Sequence, residues 1–231
     1  EQIFRDFKFE KGKKVQDQRD MWEPAELAQL FATPLWTGCH SVHRRAKAGS
    51  EIIRDEKYWL PLIAVFSGMR LEEIAQLHFG DVRKEGEIWV FDVNDQGTKK
   101  LKNSNSIRLV PIHKELVRLG VLEIVSQAKA ADQTRLFEEM KPGGVDGKYG
   151  HNFTKWFTRY RRDVGLYERG RDFHSFRHSA TTFLQWAGVD LPIIDKLTGH
   201  ATAGETARYT KHFKIGQLHE AIEKIDFRID L

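Results

Sequence analysis

The stretch HSFRHSATTFLQWAGVDLPIIDKLTGHATAGETARYTKHF, from His174 to Phe213, gathers side chains that can move protons or grip an anion. His174 and Arg177 stand three residues apart, so a helix would carry both on one side. His174 and His178, four apart, also fit half of a zinc site. Ser175 stands where the metalloprotease pattern needs Glu, however, and no nearby Cys or carboxylate completes a ligand set. No metal and no other cofactor is expected. A plain structural reading is also open, with His174 capping a helix and Arg177 in a buried ion pair. His178 is expected to pack within its helix.

Arg70 lies in SGMRLEEIAQL, between a helix-ending glycine and a second helical segment whose first amides favour an anion. Glu73, three residues on, is either its simple salt-bridge partner or the carboxylate that holds its guanidinium fork in position. Lys99, Lys100 and Lys102 share the polar connection DQGTKKLKNSN. A solvated loop is their ordinary explanation. Tyr209 follows His200 by nine positions, and its neighbours Arg208, Thr210 and Lys211 favour an exposed hydroxyl.

These residues need a scaffold, and 231 residues suffice for a hydrophobic core without staples. The 37 basic and 33 acidic residues leave a formal charge of +4, mildly favouring a polyanionic partner. One cysteine, Cys39, excludes an intramolecular disulfide and fits a reducing, cytoplasmic setting. No apolar run reaches the length of a membrane span. Residues 1–20 are charged and weakly periodic and read as a linker or N-terminal arm, leaving 21–231 as one domain with a C-terminal helix and tail.

Within that domain WEPAELAQLF, the segment from about Glu56 to Gly68, LEEIAQL, HKELVRLGVLEIVSQAKA, NFTKWFTRYRRDVG, FHSFRHSATTFLQWAG, LPIIDKLTGH, ETARYTKH and IGQLHEAIEKI read as helices. CHSVHRRAKA is expected to add a short basic helix. Glu87–Val93 and Ser106–Ile112 are rich in strand formers and form a small antiparallel sheet. KPGGVDGKYG is a loop. Phe183, Leu184 and Trp186 are assigned to the core. The fold class is therefore mainly α with a small antiparallel β-sheet (α+β), and repeated strand–helix alternation of the Rossmann kind is missing.

The ordered set Arg70, Lys102, His174, Arg177, His200 and Tyr209, in SGMRLEEIAQL, LKNSNSIRLVPI, HSFRHSATTFL, LTGH and ETARYT, resembles the signature of the tyrosine recombinase (phage integrase) family. The resemblance runs from about Trp22 through Tyr209 and implies that family's catalytic-domain fold. It implies that Tyr209 attacks a DNA phosphodiester, forming a 3′-phosphotyrosyl link and releasing a 5′-hydroxyl that later reverses the attack. Tyrosine, with a reference pKa of about 10, needs help as a nucleophile at neutral pH. His174 would move its proton, Arg70 and Arg177 would grip the nonbridging oxygens, and His200 would add a hydrogen bond. Lys102 would protonate the leaving oxygen. Lys99 and Lys100 remain alternatives to Lys102 or contacts to the DNA backbone, and Glu73 would orient Arg70 or His174.

Phosphate contacts are further expected from Arg44, Arg45, Lys47, Lys155, Arg159, Arg161, Arg162, Arg169, Arg171 and Arg208. The implied partner is double-stranded DNA with a specific attachment site, bound by four protomers in a complete recombinase, whereas these residues alone would be monomeric. The family's upstream core-binding domain is expected to be absent from these residues. Mobile-element integration or excision is the role expected of a bacterial or phage-encoded protein of this kind. Chromosome-dimer resolution, type IB topoisomerase-like relaxation, noncatalytic DNA binding and metal-dependent hydrolysis are the competing readings.

Overall fold

The computed structural model describes residues 20–101, 106–200, 213–229 and 231. Helices α1 (Pro24–Phe31) and α2 (Pro34–Thr37) both open on proline, where a missing amide hydrogen is harmless. Leu27, Leu30 and Phe31 of α1 are buried, as their spacing requires.

CHSVHRRAKA departs from the sequence reading. It forms a hairpin in which β1 (Cys39–Ser41) pairs antiparallel with β2 (Arg44–Ala48). The reason is visible in its composition, since a polar run of this kind has no apolar face with which to anchor a helix. Backbone pairing fixes it instead: Cys39 and Glu51 exchange amide hydrogen bonds of 2.9 Å, and the Gly49 amide donates to the Gly38 carbonyl at 3.0 Å. The Cys39 thiol is buried and donates to the Glu51 carbonyl at 3.1 Å, a structural position.

The centre of the core is α3 (Glu56–Ser67), capped by the Asp55 carboxylate, which accepts from the Lys57 and Tyr58 amides. Every residue from Tyr58 to Ser67 is buried. After the short α4 (Leu71–Ala75) comes a sheet of order β3-β4-β5, formed by β3 (Val82–Glu85), β4 (Ile88–Val93) and β5 (Arg108–Pro111). All pairings are antiparallel, and Val93 faces Arg108. Two strands are legible in the sequence; β3 reads VRKE, with only Val82 buried, and lacks the alternation that marks a strand.

Helices α5 (Lys114–Arg118) and α6 (Val121–Ala130) are separated at Gly120, as expected. Next come α7 (Gly150–Asp163), α8 (Ser175–Trp186) and α9 (Leu191–Thr198), and a further helix spans Ile215–Ile222. Helix α8 packs along α3, and Trp22 stacks on Phe176 with centroids 5.6 Å apart. Trp186 is not in the core: it is 63% exposed, whereas Leu184 is buried and Phe183 packs on Phe227. Two residues rotate a helix by about 200°, so burying Leu184 turns Trp186 outward. No helix among the described residues is long and apolar enough to cross a membrane.

Candidate active site

Arg70 caps α4, and Glu73 one turn later folds back so that its Oε2 accepts from the Arg70 amide at 2.9 Å while Oε1 accepts from Arg70 Nη1 at 2.6 Å. Arg70 Nη2 donates to the Gly199 carbonyl at 3.2 Å, joining α4 to the end of α9. Arg108, absent from the sequence-derived set, completes the arrangement. Its fully buried guanidinium donates to both Glu73 oxygens, at 3.2 and 2.8 Å, and its Nε donates to the Leu197 carbonyl at 2.7 Å. Burial pushes the Glu73 carboxyl up, but Arg108 and Arg70 outweigh it and hold the group below its usual range. Glu73 is thus the shared counterion of two arginines.

Gly199 must be glycine for two reasons. Its φ is 68°, in the left-handed region, and a Cβ there would lie 2.9 Å from Arg108 Nη1. Gly68 is likewise left-handed, at φ 66°, which turns the chain after α3. The Gly68 carbonyl accepts from Arg177 Nη1 at 2.8 Å. Arg177, early in α8, is 2% exposed, and among the described residues nothing accepts from its Nη2. Burial, then Arg70 and Arg108, push its pKa down to about 9. The pocket therefore places three guanidinium groups around one glutamate.

His200 follows α9 and responds to the same field. Its side chain is 47% exposed, yet partial desolvation of the ring, then Arg177 and Arg70, lower its pKa to about 4. The ring is neutral near pH 7, and its tautomer follows from its neighbours. Thr198 donates its hydroxyl proton to the Ile194 carbonyl at 2.7 Å, so at 3.1 Å it accepts from His200 Nδ1. Nε2 is left as an acceptor. Donation from Nε2 needs the imidazolium, which an anion between Arg70 and Arg177 would favour by offsetting their charge. An NMR titration of the free protein is expected to give His200 a midpoint near 4, rising on anion binding. A midpoint near the ordinary 6.5 in the free protein would contradict this electrostatic picture. Its linkage sign is clear: the unfolded ring takes up a proton before the folded one, so stability falls as pH drops from about 6.5 toward 4.

His174 precedes α8, and its amide donates to the Asp172 carboxylate at 2.7 Å. It lines an open cleft of about 1370 Å³ together with Arg70, Glu73, Lys100, Lys148 and Lys155. The His178 ring stands edge-on to it at 5.1 Å, and no group of three His, Cys, Asp or Glu that could hold a metal occurs among the described residues. Lys102, Arg208 and Tyr209 lie outside the described residues. The structure therefore brings together Arg70, Glu73, Arg177 and His200, with His174 on the wall of the cleft that Arg70 and Glu73 line.

The sequence matches the model of the phage integrase family over residues 44–215. The chain belongs to the phage integrase family. It is 31% identical over 163 residues to tyrosine recombinase XerA of Pyrococcus horikoshii, covering 71% of this chain and 52% of that protein. It is 26% identical over 161 residues to tyrosine recombinase XerH of Campylobacter jejuni, covering 70% of this chain and 42% of the relative. The chain thus spans about half the length of the curated relatives it matches. Among solved structures, the integrase of mycobacterium phage Brujita superposes with a TM-score of 0.56 at 20% identity, covering 95% of this chain and 62% of that one. The shared fold is that of integrase catalytic domains.

In this integrase-family chain the basic residues expected on the surface divide into two groups. Arg44, Lys47, Lys100, Lys155, Arg159, Arg162 and Arg169 are exposed. Four others are corrected to structural roles. Arg45 is buried against Asp55 and the Ile53 carbonyl. Arg161 is buried beside the Trp22, Phe157 and Tyr167 rings. Arg171 pairs with Glu26 and Glu168, and Lys99 with Asp81. A cation count cannot separate these groups, because each buried cation is paired or stacked through residues distant from it in sequence.

Proposed function

We propose that this chain is the DNA-cleaving and rejoining domain of a site-specific tyrosine recombinase acting on double-stranded DNA at a specific attachment site. The observation that carries the reading is the convergence of Arg70, Arg177 and His200 on one cationic pocket in which Glu73 fixes the fork of Arg70 and Arg177 has, among the described residues, a buried donor that nothing accepts from. Such fixed donors suit a phosphodiester whose charge redistributes as it reacts.

In this mechanism Tyr209 attacks phosphorus, the bond to the 5′ oxygen breaks, and a 3′-phosphotyrosyl link forms. Arg70 and Arg177 hold the nonbridging oxygens, with His200 as a further donor once the anion favours its protonated ring. His174 takes the tyrosine proton and Lys102 supplies one to the departing 5′ oxygen. A second strand's 5′-hydroxyl reverses these steps, so the bond energy is conserved and no cofactor is consumed. Exposed Arg44, Lys47, Lys155, Arg159, Arg162 and Arg169 supply backbone contacts, joined by Arg208 and Lys100. Four protomers assemble on two sites in the complete protein, acting in mobile-element integration or excision.

Similarity to proteins named tyrosine recombinases supports strand exchange over simple relaxation. The same similarity leaves chromosome-dimer resolution as the second role. In cells, junctions between element ends and a chromosomal target would mark the first role, and recombination between two identical chromosomal sites the second.

The chemistry is tested by selecting a bound site from a randomised duplex pool with the complete protein, then rebuilding that site with a nick that traps the cleaved strand. Peptide mapping is expected to find the DNA on Tyr209. A robust adduct on another residue, or none from a bound complex, sinks the assignment.

A further inference from the structure

Lys99 is the unexpected residue of the connection between β4 and β5. A lysine in a polar loop gains most by remaining in water, yet this side chain is only 6% exposed. Its ammonium donates to both oxygens of Asp81, at 2.7 and 2.6 Å, and to Asn94 Oδ1 at 2.8 Å. Asn94 in turn donates to Asp81 at 2.9 Å, so the three groups form a closed set. One residue further along, the buried side chain of Gln76 grips the backbone of Lys100. Gln76 Oε1 accepts from the Lys100 amide at 2.8 Å, and Nε2 donates to the Lys100 carbonyl at 3.1 Å.

Gln76 immediately follows α4, the helix that Arg70 caps and that holds Glu73. The connection is therefore tied to the same short element that orients Arg70. Lys100 and Leu101 line the cleft with Arg70 and His174. In sequence Lys102 follows the gripped Lys100 by two residues.

We propose that Gln76 and the Asp81–Asn94–Lys99 set are positioning residues that hold the connection so that Lys102 delivers its proton to the departing 5′ oxygen. This rests on the recombinase reading above. It makes Lys99 an anchor, neither the acid nor a DNA contact. In the step concerned the bond from phosphorus to the 5′ oxygen breaks and the proton moves from Lys102 Nζ to that oxygen.

The test uses the complete protein at saturating DNA and two nicked substrates built on its selected site, one with the natural 5′-bridging oxygen and one with sulfur in that place. A thiol, with an ordinary pKa of about 8.5, leaves without a donated proton. Lys99→Met and Gln76→Met keep the side-chain stems and remove the polar ends. Each is expected to slow adduct formation on the oxygen substrate by about tenfold, part of the 10²–10⁴ typical of a general acid. On the sulfur substrate each is expected to stay within about threefold of wild type, as Lys102→Ala should. Equal losses on both substrates would overturn the proposal, because a merely structural role gives that pattern, and so would no loss on either. If wild type forms no adduct with either substrate, the recombinase reading itself fails.

Discussion

Arg177→Met is expected to raise the melting temperature of the DNA-free protein while lowering adduct formation by about 10²–10³-fold or more, the effect typical of removing one oriented donor to a reacting oxyanion. Two terms compete for stability. Methionine leaves the Gly68 carbonyl without its donor, a loss of about 1–3 kcal/mol. Against this stands the penalty on a buried cation that faces Arg70 and Arg108. At roughly 1.4 kcal/mol per pH unit, a fall from arginine's ordinary value to about 9 is a penalty of several kcal/mol. The charge term is larger, so the fold gains as the chemistry is lost. Circular dichroism melts and trapped-adduct rates on one preparation check both halves. A destabilised variant that still cleaves would contradict the role and the electrostatics together.

The same competition explains which parts of the site are legible in sequence. Arg70, His174, Arg177 and His200 are legible through the ordered family signature they share, since taken singly Arg70, His174 and Arg177 each have a plain structural explanation. Arg108 is not, since RLVP reads as an ordinary strand. Only the packing of β5 against α9 turns that side chain inward onto Glu73. Lys99 is hidden for a related reason: Asp81 lies 18 positions earlier, just before a strand without alternation. Long helices with amphipathic spacing are legible, as α7 and α8 are. The hairpin of Cys39–Ala48 is not, because backbone pairing to Glu51 and Gly49 determines it more than side-chain pattern.

Replacing Glu73 by alanine is expected to lower stability by about 3–5 kcal/mol, the usual effect of removing one partner from a buried ion pair. For a chain of this size that is roughly 6–20 °C in melting temperature. The magnitude follows from what is stranded. Arg108 has no exposed side-chain surface and Arg70 little, so neither can recover its lost partner from water. Arg177 lies in the same positive field, which Glu73 offsets. The pH dependence gives an independent check. The unfolded glutamate titrates near 4.5, whereas the folded one is held lower, so its contribution is complete above 4.5 and is lost as pH falls through the folded value. Glu73→Gln keeps the shape and removes the charge, and its melting temperature should decline less steeply than wild type below about pH 4.5. Pairing Glu73→Leu with Arg108→Met removes one buried charge of each sign and is expected to recover part of the lost stability. A Glu73→Ala variant within about 1 kcal/mol of wild type would show that water reaches the two arginines, and would break the chain of contacts from β5 through Glu73 to Arg70 on which the site's geometry depends.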